Sequence, residues 1–359
     1  MNYPKILIRK VILGSIALSL TLICLISTTF AWFARNQNAW IQDFDIDLTG
    51  VEGLQLSLDG KSWSQDITSE ELKKSIAESV EKFDKIEFGC VSVKHNTDGT
   101  IKFDQNKQVQ FGYDNVVQDE TTKTFGHETL DAEANKDKGY IKFDLYVRSV
   151  ASYEEKRTYS LRMTDVTDIT SDPVNVKLAN TLTTREIVGE GAERHYTDNY
   201  KEYHTGDNLL VDISNAVRFG MYTVDQDNDG KFSRYNSFDV YEMTNEYDLG
   251  SSALEGSTDN IHDKTKNAMY TYYNSYFGRY PFTEAAQANG DAFKTKTREQ
   301  LLERELGRFN YVETKDSYNI IKLELYIWLE GWDADYFVGI PENTKISVDL
   351  EFGIEVVTS

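Results

Sequence analysis

Two runs in the last forty residues decide the fold: Ile321-Lys-Leu-Glu-Leu-Tyr-Ile-Trp-Leu-Glu330 and Lys345-Ile-Ser-Val-Asp-Leu-Glu-Phe-Gly-Ile-Glu-Val356. In both runs apolar residues occupy every second position. A period of two is typical of a β-strand that buries one face. We therefore predict two long strands with one buried face each. In the first strand the other face is formed by Lys322, Glu324, Tyr326, Trp328 and Glu330.

Shorter runs upstream repeat this alternation. Phe44, Ile46 and Leu48 alternate with aspartates, and similar patterns occupy 54–59 and 141–147. Strands that are far apart in the chain and have one polar face favour antiparallel sheets packed face to face. We predict a mainly β protein, an antiparallel and jelly-roll-like β-sandwich with small helices.

Capping boxes predict where those helices begin. Thr68 with Glu71 opens a helix over 69–83, and Thr297 with Gln300 opens one over 298–306. In each box the side chains of both partners satisfy backbone N–H groups that the first helical turn leaves unpaired.

Composition limits the classes of function. The chain has 359 residues, of which 40% are hydrophobic, and its net charge is −21 at pH 7. Such an acidic surface repels phosphate backbones, which argues against nucleic-acid binding, and it attracts divalent cations. Of the two cysteines, Cys24 lies in the apolar N-terminal stretch and Cys90 in an apolar run. A mature exported chain would therefore have no internal disulfide.

The N-terminus has the layout of an export signal. Three basic residues precede an apolar run over 11–26, and small residues lead to Ala31. This layout predicts a signal peptide over 1–31 that is cleaved before Trp32. The alternative is a retained signal anchor, a transmembrane helix, because 11–34 approaches the ~20 residues that a membrane span needs. Both alternatives predict an extracellular or cell-surface location.

The junction after this signal resembles a known family. Thr28-Thr-Phe-Ala-Trp-Phe33 followed by Asn36-Gln-Asn-Ala39 resembles the junction of TasA/camelysin-type Firmicutes proteins, which a SipW-type signal peptidase reads. Segments 327–333 and 215–218 resemble parts of uncharacterised Firmicutes surface proteins that share the Ala-Trp-Phe junction. The resemblance implies an extracellular β-sandwich with a structural, sometimes fibre-forming, role.

We predict a domain boundary after the signal, with 32–359 forming one extracellular β-sandwich domain. Within it, about 180–290 is expected to be an irregular elaboration, because long polar stretches replace the alternation. The Tyr-rich run 270–282 suits either an aromatic platform for glycans or proteins, or ordinary core packing.

The most specific motif is an acidic loop that resembles the first half of a calcium-binding loop. Carboxylates at loop positions 1, 3 and 5 and a following glycine suit a hard cation. Strand-like flanks and an asparagine at position 12 place the loop in a β-hairpin, not an EF-hand. We predict Ca²⁺ as the cofactor, with a merely acidic hairpin turn as the alternative. The candidate ligands are Asp225, Asp227, Asp229, Lys231 through its carbonyl, Ser233 and Asn236.

No catalytic motif is recognisable, so we predict that the protein is not an enzyme. His127-Glu128 lacks the second histidine of a zinc-protease helix. A nucleophile elbow, a phosphate loop and a C-x-x-C motif are all missing from the sequence. The acidic residues at 330–335 are interpreted as a turn at a strand end.

The strand that carries Phe44, Ile46 and Leu48 follows the junction directly. Such a strand can pair with its own sheet or with the open edge of a neighbour. We therefore predict an exported structural or adhesive surface protein, assembling as a fibre or matrix subunit through this strand. Its predicted partners are itself or other surface proteins, glycans, and the membrane through the N-terminal helix. The alternatives are a secreted hydrolase acting on wall or host polymers and a glycan-binding module.

Overall fold

The computed structural model describes residues 43–79, 90–93, 101–105, 107–118, 125–130, 140–177, 182–188, 195–204, 206–227, 229–243, 296–314, 318–330 and 344–357. The chain divides into two units, Met1–Asn38 and Ala39–Ser359, and all described residues belong to the second.

The described residues form a mainly β protein, as predicted. The strands are β1 Asp43–Gly50, β2 Leu54–Ser57, β3 Asp66–Ile67, β4 Cys90–Val93, β5 Phe111–Gln118, β6 Phe125–Leu130, β7 Tyr140–Ser149, β8 Tyr159–Met163, β9 Asp168–Ser171, β10 Val174–Lys177, β11 Leu182–Val188, β12 His195–Tyr203, β13 Asn208–Val211, β14 Val217–Gln226, β15 Phe232–Tyr235, β16 Asp239–Glu242, β17 Gly307–Phe309, β18 Ile320–Glu330 and β19 Lys345–Val356. The helices are α1 Ser69–Ser79, α2 Ala151–Glu154 and α3 Arg298–Glu303, with a 3-10 turn at Ile213–Ala216.

One sheet has six strands in the order β17-β8-β19-β1-β3, with β9 also paired to β19. Its pairs are antiparallel except for β1 and β19, which run parallel from Asp43 opposite Lys345 to Gly50 opposite Phe352. The sheet is therefore mixed, which differs from the all-antiparallel prediction. Alternation within a strand reports its buried face but not the direction of its neighbour.

The other large sheet has nine strands built around β14, β18 and β7. Its path is β15-β14-β18-β4-β5-β6, with β16 on β14, β7 on β18 and β2 on β7. Here β18 and β4 are parallel. Two further pairs, β10-β13 and β11-β12, stand apart from it. Strands β11 to β16 lie within the stretch predicted to be irregular, whereas 244–295 lies outside the described residues.

Both large sheets contribute to one buried apolar cluster, which we call the main core. The six-stranded sheet supplies β1, β8 and β19, and the nine-stranded sheet supplies β2, β7, β14 and β18. The predicted alternation holds along β7 and along β19 as far as Phe352, where buried and more exposed residues take turns. At the end of β19 it fails, because Val356, predicted to lie on the buried face, is 44% exposed.

The prediction that β18 has only one buried face was wrong. Residues Lys322 to Glu330 are all buried. A second apolar cluster, which we call the outer cluster, covers the opposite face of β18 from the main core. It consists of Val93, Val109, Phe111, Tyr222, Val224, Phe238, Tyr326 and Trp328.

Gly220 of β14 makes the outer cluster possible. A Cβ atom there would lie 2.4 Å from Phe238 Cζ and 2.9 Å from Trp328 Cζ3. Real carbon atoms do not approach so closely, so the hydrogen side chain leaves room for these two rings to pack on the sheet.

Both predicted capping boxes form. The Thr68 backbone N–H donates to Glu71 Oε2 at 2.9 Å, and Thr297 and Gln300 make the reciprocal pair at α3. Helix α3 ends at Glu303, three residues earlier than predicted, because Arg304 is already extended. Residues 80–83 of the first predicted helix lie outside the described residues.

Candidate functional site

The predicted assembly strand, β1, is a fully integrated part of its own sheet. It lies between β19 and the two-residue strand β3. Phe44, Ile46 and Leu48 are 2%, 0% and 0% exposed and belong to the main core. The described part of the strand thus occupies the place that the sequence predicted for an ordinary first strand.

Helix α1 covers the part of β1 that β3 does not reach. The Ile46 backbone N–H donates to Ser69 Oγ at 3.1 Å, and the Ser69 N–H donates to Asp47 Oδ1 at 3.0 Å. Lys73 of the same helix lies 3.3 Å from Asp45. The first of these contacts replaces, at Ile46, a backbone hydrogen bond that a neighbouring strand would otherwise make with this edge, and the other two hold α1 to side chains of β1.

On the exposed face of the β1–β19 pair, attractive and repulsive contacts between charged side chains follow one another. Lys345, followed by Lys73, holds the pKa of Asp45 below its usual value. The next pair in register is Asp47 opposite Asp349, and Asp349 in turn faces Asp168 of β9. Burial, then Asp47 and Asp168, raises the pKa of Asp349. The seam between β1 and β19 therefore contains a like-charge contact that weakens as pH falls.

The predicted acidic loop forms the hairpin between β14 and β15, as its flanks indicated. Asp227 organises it. One oxygen of Asp227 accepts the N–H groups of Asp229 and Lys231, both at 3.0 Å, and the other accepts the Ser233 hydroxyl at 2.6 Å. The Ser233 hydrogen bond, followed by that from the Lys231 backbone, lowers the pKa of Asp227.

The six predicted ligands form two hydrogen-bonded groups in the hairpin. Asn236 donates to Asp225 Oδ2 at 3.3 Å, whereas Asp229, Lys231 and Ser233 donate to Asp227. Within the described ranges, no three His, Cys, Asp or Glu side chains form a group that could hold a metal ion. Calcium binding by this loop stays a prediction.

Several predicted residues lie outside the described part of the chain. These are the cleavage site at Ala31 and Trp32, the apolar run 11–34 and the Tyr-rich run 270–282. Among the residues that are described, no helix is long and apolar enough to span a membrane.

The buried charges on the outer face of the nine-stranded sheet could not be predicted from the sequence. Arg218 and Glu242 are both 0% exposed and lie 3.3 Å apart. Arg218 also donates to the Asn215 carbonyl oxygen at 2.8 Å. This contact gives the segment 215–218 a structural role, because it fixes the 3-10 turn to the start of β14.

A second buried group surrounds Glu324, which is 3% exposed. Its carboxylate lies 3.1 Å from the Lys142 ammonium and accepts a hydrogen bond from the Tyr326 hydroxyl. Lys142 also donates to Gln108 at 2.9 Å. Burial, followed by the charge of Glu324, raises the pKa of Tyr326. The members of this group bond to one another across β7, β18 and the segment before β5, which fixes these parts of the chain relative to one another.

Comparisons of the chain with protein-family models, curated proteins and solved structures find no match. The family resemblance therefore rests on the short segments in which it was seen.

Proposed function

We propose that this chain is an exported structural or adhesive protein of the cell surface. Its two large sheets form a β-sandwich, and copies assemble by exchanging β1. The N-terminal export layout and the surface charge support the location, and the position of β1 supports the assembly.

The observation that carries the proposal is the way in which β1 completes the main core. It pairs with β19, which is the last strand of the chain, and it inserts three apolar side chains. Burying each of these side chains contributes roughly 1.5–3 kcal/mol. Leaving the position between β19 and β3 without a strand would therefore lose this free energy of burial. A β1 strand from a neighbouring copy offers the same side chains and the same main-chain hydrogen bonds.

Repeated exchange gives an open chain of subunits, because a head-to-tail contact need not close. The like-charge pair of Asp47 and Asp349 recurs when β1 comes from a neighbouring copy, so it favours neither the closed nor the exchanged pairing. It is also a small term, because both carboxylates are exposed and screened.

The experiment locks β1 in its own chain. Thr49 lies opposite Glu351 in the parallel pair, and such partners are about 4.8 Å apart, within disulfide range. A Cys90→Ser chain that begins at Trp32 receives Thr49→Cys and Glu351→Cys. Sedimentation of the reduced chain should show oligomers that grow with concentration, and the oxidised chain should stay monomeric.

The matched control is Thr49→Ser with Glu351→Gln, which should oligomerise under both redox conditions. Equal oligomerisation of the locked and unlocked chains would show that assembly does not use β1. Monomers under all conditions would contradict assembly altogether.

Export is tested separately by cell fractionation and N-terminal sequencing. A mature protein that starts at Trp32 in the medium supports cleavage, and a full-length membrane form supports the anchor. A full-length protein in the cytosol would contradict both.

A further inference from the structure

A cleft of about 380 Å³ lies between the loop after β2 and the exposed side of α1. Its lining includes Asp59, Ser62, Trp63, Glu71, Lys74 and Ser75. The volume falls in the lower part of the range for small-molecule sites. The cleft is separate from the acidic hairpin and from the outer cluster.

The cleft has an aromatic wall that is fixed in place. The half-buried Trp63 ring packs against the Arg148 guanidinium, whose carbon lies 4.2 Å from the ring centroid. Arg148 is held in turn by Gln55 Oε1, which accepts from its Nε at 2.8 Å, and by the Tyr318 ring at 5.2 Å. The indole therefore needs little ordering when a ligand arrives.

The loop that carries Trp63 is rigid for a second reason. Asp59 Oδ1 accepts the backbone N–H groups of Lys61 and Ser62, both at 2.7 Å, and the Ser57 hydroxyl at 2.9 Å. The Ser62 hydrogen bond is the main cause of the strongly lowered pKa of Asp59. The hydrogen bonds that Asp59 accepts thus tie the ends of this loop together.

The remaining lining defines the chemistry of the ligand. Glu71 supplies an acceptor, Lys74 a cation, and Ser75 a hydroxyl, all from α1. The oxygens of Asp59 already accept hydrogen bonds within its own loop, so the lining offers a ligand one carboxylate, Glu71, and one ammonium, Lys74. This pair favours neither a strongly anionic nor a strongly cationic ligand. Hydroxyl and charged groups opposite an indole suit a molecule with one apolar face and a ring of hydroxyls. The net charge of −21 also disfavours acidic polymers.

We infer that this cleft binds a neutral hexose unit of a surface glycan, which stacks on Trp63 and donates hydrogen bonds to Glu71. The inference does not depend on the exchange of β1, because the oxidised, locked monomer contains the whole cleft. Binding by that monomer would therefore stand even if assembly failed.

The experiment uses neutral oligosaccharides of glucose, galactose, mannose and N-acetylglucosamine, with titration calorimetry and saturation-transfer NMR. At least one should bind saturably. Trp63→Ala should weaken that binding at least ~10-fold, since each tenfold corresponds to about 1.4 kcal/mol of contact. Trp63→Phe should retain part of it.

Two further variants keep the test decisive. Ser75→Tyr fills the cleft from α1 while leaving the indole in place, and it should abolish binding without a change in melting temperature. Tyr311→Ala removes an exposed aromatic ring that does not line the cleft, and it should bind as the wild type does. The inference is overturned if no neutral glycan binds saturably, or if binding survives both Trp63→Ala and Ser75→Tyr.

Discussion

The main core and the outer cluster share strands β14 and β18, yet different side chains form them. The main core is dominated by aliphatic residues contributed by both large sheets. The outer cluster lies on the other face of the same strands and is mostly aromatic. Buried charges accompany it, including Arg218, Glu242 and Glu324.

This difference has a physical consequence. Apolar packing stabilises in proportion to the area removed from water and tolerates small shifts of the chain. Buried charges stabilise only when each partner is in place, and they cost several kcal/mol when one partner is lost. The outer cluster should therefore be the more sensitive of the two to single substitutions of polar residues.

The largest effect should come from breaking the buried ion pair. Arg218→Met leaves Glu242 charged and buried, which should cost about 3–5 kcal/mol of unfolding free energy in urea denaturation. The double variant Arg218→Met with Glu242→Leu should recover most of this loss, because no charge is then left uncompensated. A double variant as unstable as the single one would show that the pair contributes through some other contact.

The second-largest loss of stability should come from truncating a side chain of the main core. Leu325 is fully buried on the main-core face of β18. Leu325→Ala should cost about 2–5 kcal/mol, since it removes buried methyl groups and leaves a cavity. The control is Val356→Ala at the exposed end of β19, which should change stability by less than about 0.5 kcal/mol.

The same strand shows how far the sequence could predict the structure. The main-core face of β18 follows from a period of two, and so do β1, β7 and β19. The outer face could not be predicted, because Lys322, Glu324 and Tyr326 are polar and their partners are remote in sequence. Lys142 and Gln108 become neighbours only after the sheet has formed.

The two candidate sites also differ in whether they depend on neighbouring or on distant residues of the sequence. The hairpin around Asp227 is encoded locally, so its turn was predictable from a few residues. The cleft beside Trp63 depends on Arg148 and Tyr318, which approach it from distant strands and segments. Such a site cannot be predicted from a local sequence pattern. The parallel pairing of β1 with β19 could not be predicted either, because the alternation of apolar and polar residues is the same in parallel and antiparallel strands.

Overpacking the outer cluster should have an intermediate effect. Gly220→Ala introduces a methyl group against Phe238 and Trp328. The rings must shift, which should cost about 1–3 kcal/mol of unfolding free energy. Gly220→Ala combined with Phe238→Leu should regain part of the loss, as a smaller side chain frees the space. No recovery in the double variant would place the strain in the backbone of β14.

An effect of similar size is expected from the Tyr326 hydroxyl. Tyr326→Phe removes its hydrogen bond to Glu324, which should cost about 1.5–3 kcal/mol at most at pH 7, because the acceptor is charged. The variant also changes the response to alkali. Burial raises the pKa of Tyr222 and Tyr326, and that of Tyr241 to about 12, from 10.0.

The sign of this pH dependence follows from proton counting. Above pH 10 the unfolded chain loses tyrosine protons that the folded chain keeps, so stability falls as pH rises. Each such tyrosine contributes about 1.4 kcal/mol per pH unit in this window. Denaturation between pH 10 and 12 should therefore be shallower for Tyr326→Phe than for the wild type. Equal slopes would mean that Tyr326 ionises in the folded protein.

The smallest effect should come from the hairpin outside both clusters. Asp227 is exposed and acts through hydrogen bonds within its own loop, so Asp227→Ala should lower the melting temperature less than Arg218→Met, Leu325→Ala, Gly220→Ala or Tyr326→Phe. Asp227→Asn retains one carbonyl oxygen and should lower it less still. Because hydrogen bonding lowers the pKa of Asp227, its contribution is present at neutral pH and should be lost as pH falls through that lowered pKa.

Melts with Ca²⁺ and with a chelator separate the two sequence-based interpretations of the loop. The hydrogen bonds of Asp227 should keep the hairpin folded in chelator, and calcium binding should raise the melting temperature of the wild type further while leaving Asp227→Ala unchanged. If the wild type melts at the same temperature in both solutions, the loop is an acidic turn whose carboxylates serve only the hairpin.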